Sequence, residues 1–259
     1  VKYDGNWEMI LGLVTCLAAA SPAKGVLVLD GFVLGCLTQD GWRSYRSVGA
    51  LPPTTVSAVG IGGGENDVRN TAFNNSDDGL LGLAPGAGPS GVFFSKAPLY
   101  PREVIENKND RSYYFPVVAR FALAHGATSP RSYIVHVWSA DLDNSGNHEE
   151  IIEAVSRPEV LRGNSEDGDW EAVLLRSKDK SGEKVFALHY SFSKAGQPLR
   201  QCRLRAVADF DGDGLMEMVS SAENARGKSA TLWSFRAGKL MLLADVDYSR
   251  TPSAIQGLE

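Results

Sequence analysis

Beyond Pro130 the sequence alternates short apolar-rich runs with turn-forming residues, a spacing that confines this part of the chain to β structure. The turns fall at Lys180-Ser181-Gly182, Lys194-Ala195-Gly196 and Ala237-Gly238-Lys239, each a hairpin connection. The strands are expected at Tyr133 to Trp138, Ile151 to Val155, Trp170 to Arg176, Val185 to Phe192, Cys202 to Ala208, Met218 to Ser221, Thr231 to Phe235 and Leu240 to Ala244. Eight or so short strands at fairly even spacing favour a propeller fragment, a sandwich or a barrel. Upstream, Val26-Leu27-Val28-Leu29, Phe32-Val33-Leu34 and Trp42-Arg43-Ser44-Tyr45 read as an opening meander broken by Gly31, Gly35 and Asp40-Gly41. From Gly49 to Pro101 the density of Gly, Pro, Asn and Ser predicts short strands among long loops. One helix is expected from about Ser112 to His125, with Pro116 in its first turn and Gly126 as its stop. Its apolar positions Val117, Val118, Phe121 and Leu123 suit packing on a sheet.

Two acidic segments each lie between expected strands. In Asp209-Phe210-Asp211-Gly212-Asp213-Gly214-Leu215-Met216-Glu217, carboxylates take loop positions 1, 3, 5 and 9, and Gly214 takes position 6. Calcium is a hard cation that gathers roughly six to eight oxygens, so alternate carboxylates on a tightly curled loop can all point inward. Asp209, Asp211, Asp213 and Glu217 are therefore candidate ligands, with the backbone carbonyl near Leu215 completing the set and Gly214 permitting the reversal. An EF-hand would need a Glu where Ser220 stands and helices on both sides, whereas these flanks read as strands. The segment Asp141-Leu142-Asp143-Asn144-Ser145-Gly146-Asn147-His148-Glu149 keeps the spacing with Ser145 at position 5. Asp141, Asp143, Ser145, Asn147 and Glu149 are its candidate ligands. Having one carboxylate fewer, it should bind more weakly, so Asp211→Ala is expected to cost more than Asp143→Ala. The related stretch Ser165 to Glu171 offers Gly163 at position 1 and reads as a plain turn.

These two loops and the strands beside them resemble the calcium loops of FG-GAP and related integrin-α-type β-propeller repeats. The resemblance implies that each repeat is one four-stranded blade whose loop is tied to the blade by Ca2+. No regular Phe-Gly and Gly-Ala-Pro repeat accompanies the loops, Ala84-Pro85-Gly86 being only an echo of it. The fold class expected is thus mainly β with one or two helices (α+β), antiparallel, either propeller-like or an irregular barrel or sandwich built from hairpins with calcium loops.

Met9 to Ala20 is an almost unbroken apolar run followed by small residues at Ser21 and Ala23, the form of a signal peptide and too short to span a bilayer. The organisation expected is a leader over 1–23, a Gly/Pro-rich β region with the helix over 24–130, and a β-repeat region over 131–259. Export to the periplasm or the medium follows, with no transmembrane span in the mature chain. It would leave Cys36 and Cys202 either paired or buried as thiols. A formal charge of -5 with scattered basic residues argues against nucleic acid as partner. The short cluster Arg200, Arg203 and Arg205 has the alternation of a strand with one solvated face.

The constellations of several enzyme classes are missing. His125, His136, His148 and His189 form no H-x-x-x-H or H-E-x-x-H pair, no G-x-S-x-G elbow occurs, and the glycine run at 60–64 lacks the Lys-Ser or Lys-Thr of a phosphate loop. The neighbours Glu149 and Glu150 are a carboxylate pair of the type a glycosidase needs, provided they converge. Three readings stand: a calcium-stabilised module that binds a protein or glycan surface without chemistry, an extracellular hydrolase of polysaccharide or phosphoester in which calcium is a strut, or a structural domain whose calcium loops serve folding alone.

Overall fold

The computed structural model describes residues 23–30, 32–44, 54–61, 64–71, 73–75, 81–83, 92–96, 99–109, 111–180, 182–194 and 198–249. The apolar run Met9 to Ala20, and with it the expected leader, lies outside them. Among the described residues no helix is long and apolar enough to cross a membrane.

Among the described residues the protein is mainly β with a single α-helix, and the strands form three antiparallel sheets. The first sheet is built from β1 (Gly25–Leu29), β2 (Phe32–Thr38), β3 (Gly41–Arg43), β4 (Thr54–Val59), β5 (Gly64–Thr71), β6 (Phe73–Asn75), β7 (Leu81–Leu83) and β8 (Val92–Phe94). Its order is β5-β4-β8-β1-β2-β7-β6, with β3 paired to β2. Every residue of β1 is buried, as a continuous apolar run requires when both faces of a strand are covered. Gly35, expected to break the meander, instead lies inside β2. A Cβ there would stand 3.0 Å from Ala244 Cβ and 3.4 Å from the Trp42 ring, so the glycine admits a close approach rather than a turn.

The second sheet comprises β9 (Ile105–Glu106), β10 (Tyr133–Ala140), β11 (Glu149–Val155), β12 (Trp170–Asp179) and β13 (Gly182–Phe192); the third comprises β14 (Gln201–Ala208), β15 (Glu217–Asn224), β16 (Gly227–Arg236) and β17 (Lys239–Ser249). From β10 to β13, and again from β14 to β17, the chain runs as an up-and-down meander of four strands. All eight expected strands are present, each extended by one or more residues. The expected helix is a 3₁₀ turn over Ser112–Tyr114 continuing into α1 (Phe115–Ala124), with Pro116 in its first turn and Gly126 at a φ of 100° beyond its end.

The third sheet lies between the other two. One face packs Ala206, Ala208, Val219, Leu232 and Val246 against β1, β2 and β8, while the other packs Cys202, Leu204, Val207, Met218 and Phe235 against the second sheet. A β-bulge between Leu204 and Ala206 is what moves the even-numbered residues of β14 from one face to the other partway along the strand. On the far side of the second sheet, α1 contributes Val118, Phe121 and Ala122 to a core with Ile152, Trp170 and Leu174. The helix and β9, although they precede residue 130, thus pack on the second sheet. Cys36 and Cys202 are free, buried thiols in different cores. Burial alone pushes the Cys36 thiol up to about 12.

Candidate metal centre

Both acidic loops occupy the same place, between the first and second strands of a meander. A constant offset of 68 residues carries the Ala140–Glu149 pair that closes the ladder of β10 and β11 onto the Ala208–Glu217 pair of β14 and β15. The backbone follows the same offset. Asn144 and Gly146 have φ of 58° and 81°, and Gly212 and Gly214 have φ of 81° and 85°, so each loop reverses twice through left-handed residues.

Those reversals wrap backbone N–H groups around the carboxylates. In the first loop Ser145 N–H donates to Asp141 Oδ1 (3.0 Å), Gly146 N–H to Asp141 Oδ2 (3.1 Å) and Leu142 N–H to Glu149 Oε2 (3.1 Å). In the second, Gly212 N–H donates to Asp209 Oδ1 (2.6 Å), Gly214 N–H to Asp209 Oδ2 (2.9 Å) and Phe210 N–H to Glu217 Oε2 (3.0 Å). The side chain at position 2 anchors each loop. Leu142 is fully buried in the core between the second and third sheets, and Phe210 is buried in the core between the third and first.

Asp141, Asp143 and Glu149 bring one carboxylate oxygen each within 4.8 Å of one another, and so do Asp209, Asp211 and Glu217. Converging like charges in a partly dry site raise their own proton affinity. Burial, followed by the charges of Asp211, Asp213 and Asp209, pushes Glu217 up to about 9, and burial with the nearby Asp143 and Asp141 pushes Glu149 up to about 7. Glu217 is fully buried, and its Oε1 has no hydrogen-bond partner. A buried glutamate grouped with two further carboxylates, one of its oxygens accepting no hydrogen bond and only 3.8 Å from the Arg236 guanidinium, is a donor set that would suit a cation.

Because Glu217 holds a proton in the native state that the unfolded chain releases above about 4.5, metal-free stability should fall as pH rises from about 4.5 toward 9, and change little from this group above that. A cation needs the deprotonated group, so binding at pH 7 should expel close to one proton from Glu217 and a fraction from Glu149. Calorimetric titrations in buffers of different ionisation enthalpy measure that release directly. Equal heats in all buffers would contradict it.

Asp213 does not join the three-carboxylate group. Its Oδ2 lies 2.7 Å from Arg236 Nη2, which is also 3.8 Å from Asp211 Oδ2 and 3.8 Å from Glu217 Oε1. The guanidinium therefore offsets the extra carboxylate that distinguished this loop from the first, and narrows the expected gap between Asp211→Ala and Asp143→Ala. Ser145 Oγ, at the corresponding position of the first loop, accepts Asn147 N–H at 3.2 Å, as Asp213 Oδ1 accepts Leu215 N–H at 2.8 Å.

The two loops also touch. Met216 N–H donates to Leu142 O (2.9 Å), Arg102 Nη2 donates to Leu142 O (3.3 Å) and Gly214 O (2.7 Å), and Arg102 Nε donates to Asp141 O. Leu99 and Asp209 exchange backbone hydrogen bonds of 3.0 and 2.9 Å. Neither Arg102 nor Arg236 is recognisable in the sequence as part of the loops, since both arrive from distant segments. The apolar residue at position 2 is visible there, as Leu142 and Phe210, and signals the anchoring.

Other candidates resolve differently. Asp169, in the stretch read as a plain turn, is held by Arg157 at 2.9 Å and by Ser156 at 2.6 Å. Arg203 pairs with Glu171, and Arg205 with Asp30 at 2.9 Å. Glu149 turns into the first loop, while Glu150 accepts from Tyr114 Oη at 2.9 Å and from Arg176. As successive strand residues they face opposite sides and do not converge on a substrate. Among the described residues no histidine joins a group of three potential metal ligands. Compared with known proteins, the chain matches no family profile, no curated protein and no solved structure.

Proposed function

We propose that this chain is an exported, calcium-stabilised β-repeat module of the FG-GAP kind, which binds a protein or glycan surface and performs no chemistry of its own. The observation that carries the reading is the equivalence of the two loops: same place in successive four-stranded meanders, carboxylates at the same positions 1, 3 and 9, backbone N–H groups of positions 2 and 6 wrapping the same carboxylates and the same buried glutamate on the following strand. That arrangement supports a blade-like unit with one ion site per meander. All-oxygen donors on a loop wrapped by its own backbone suit calcium, which tolerates irregular shells. Magnesium demands near-ideal octahedral geometry and gives up its waters reluctantly. Divergence of Glu149 and Glu150 supports the non-catalytic reading. A periplasmic or secreted location fits the apolar run Met9 to Ala20 read as a leader.

Calcium titration of the full chain by calorimetry tests the reading. Two ions per chain are expected, with Asp143→Ala and Asp211→Ala each removing one. Absence of any calcium-dependent heat or stabilisation would end it. The Arg236 contact adds a finer expectation. Calcium must displace or outcompete a partly exposed ion pair of the class worth up to about 1 kcal/mol, so Arg236→Met should strengthen binding at the second loop by about three- to fivefold. Unchanged or weaker affinity in that variant would show that the guanidinium does not oppose the ion.

A further inference from the structure

The geometry points to cooperative calcium binding, with Arg102 as the residue that couples the two loops. This inference rests on the calcium reading above and goes beyond it, because two sites of one kind need not communicate. Here they share structural parts. The guanidinium of Arg102, half-buried, donates to the carbonyls of Asp141 and Leu142 in one loop and of Gly214 in the other, and among the described residues it has no carboxylate partner. These carbonyls belong to the parts of each loop that must hold their shape for the carboxylates to converge: positions 1 and 2 of the first, and the left-handed reversal at position 6 of the second. Beside the guanidinium, the Met216 N–H to Leu142 O bond joins the loops backbone to backbone, with both side chains fully buried in the same core.

Four donor–acceptor contacts therefore tie the two cages into one rigid piece. An ion in either loop fixes the carbonyls that Arg102 reads, and so fixes Arg102 against the other loop. The second ion then meets a cage whose ordering has already been met, which is positive coupling without any large movement. By linkage each ion must raise the affinity for the other by the same factor. Lysine could not replace the guanidinium, since its ammonium lacks the planar fork that spans three carbonyls.

The test is a cycle of calcium titrations on the full chain. In the wild-type background, disabling the first loop with Asp143→Asn should weaken calcium at the second by about fivefold or more, and disabling the second with Asp211→Asn should weaken the first by the same factor. In an Arg102→Met background, which leaves every carboxylate in place, that factor should fall toward one. Should Arg102→Met fail to fold, Arg102→Lys serves for the same comparison. Affinities in the wild-type background that ignore the state of the other loop would overturn the inference while leaving the calcium reading intact. Coupling of undiminished size in the Arg102 variant would overturn the role given to that residue. No calcium binding in any variant would remove the underlying reading itself.

Discussion

Saturating calcium should raise the melting temperature of this protein by on the order of 10 °C for each loop it fills. An ion present at about 1,000 times its dissociation constant adds about 4 kcal/mol to a fold that binds it and an unfolded chain that does not. For a chain approaching this size, each kcal/mol moves the midpoint by about 2 to 4 °C. The gain is large because calcium removes a destabilising feature already built in. Six carboxylates crowd into two groups, and Glu217 is fully buried with one oxygen that accepts no hydrogen bond. Thermal melts in calcium, in magnesium and in chelator give the comparison. Superimposable curves would mean that the loops are acidic turns and nothing more.

Phe210→Ala should cost about 3 to 5 kcal/mol, the range for deleting a fully buried aromatic side chain. Phe210 is 2% exposed and meets the Phe94 ring at 5.4 Å and the Trp42 ring at 6.4 Å, both edge-on. It ties the second loop to the first sheet, and its own N–H holds Glu217 Oε2. The loss should therefore appear twice, as a lower urea midpoint at an unchanged m-value and as weaker calcium binding at the second loop. A variant destabilised by less than about 1 kcal/mol would show that the aromatic contact does not anchor the loop. A destabilised variant with wild-type calcium affinity would show that the loop holds its shape by hydrogen bonds alone.

Together these results would describe a protein whose metal sites and cores are one structure. Leu142 reaches into the core between the second and third sheets, and Phe210 into the one between the third and first. Each ion would thus fix a loop whose buried end is part of a seam between sheets. In that arrangement calcium loss loosens the stacking of layers before it affects any single hairpin, and hydrogen exchange along β14 and β15 is where that loosening should be read first.

Much of this was legible in the sequence because it is local. The eight strands after Pro130, the helix with Pro116 at its start and Gly126 past its end, and the two carboxylate ladders each follow from side-chain alternation, turn chemistry or ligand spacing within about a dozen residues. The first half was less readable. A glycine such as Gly35 carries the same letter whether it turns the chain or admits a neighbouring strand, and only the position of Ala244, far along the sequence, decides between them. The same limit applies at the site. Spacing pointed to Asp209, Asp211 and Glu217, which do gather, and to Asp213, which pairs with Arg236 instead; nothing in the sequence near Arg102 or Arg236 marks their contacts with the loops. Local patterns determined the elements and the acidic loops. Tertiary structure decided which sheet covers which, which buried oxygen accepts no hydrogen bond and which loops share an arginine, because those depend on contacts between segments whose separation along the chain carries no local signal.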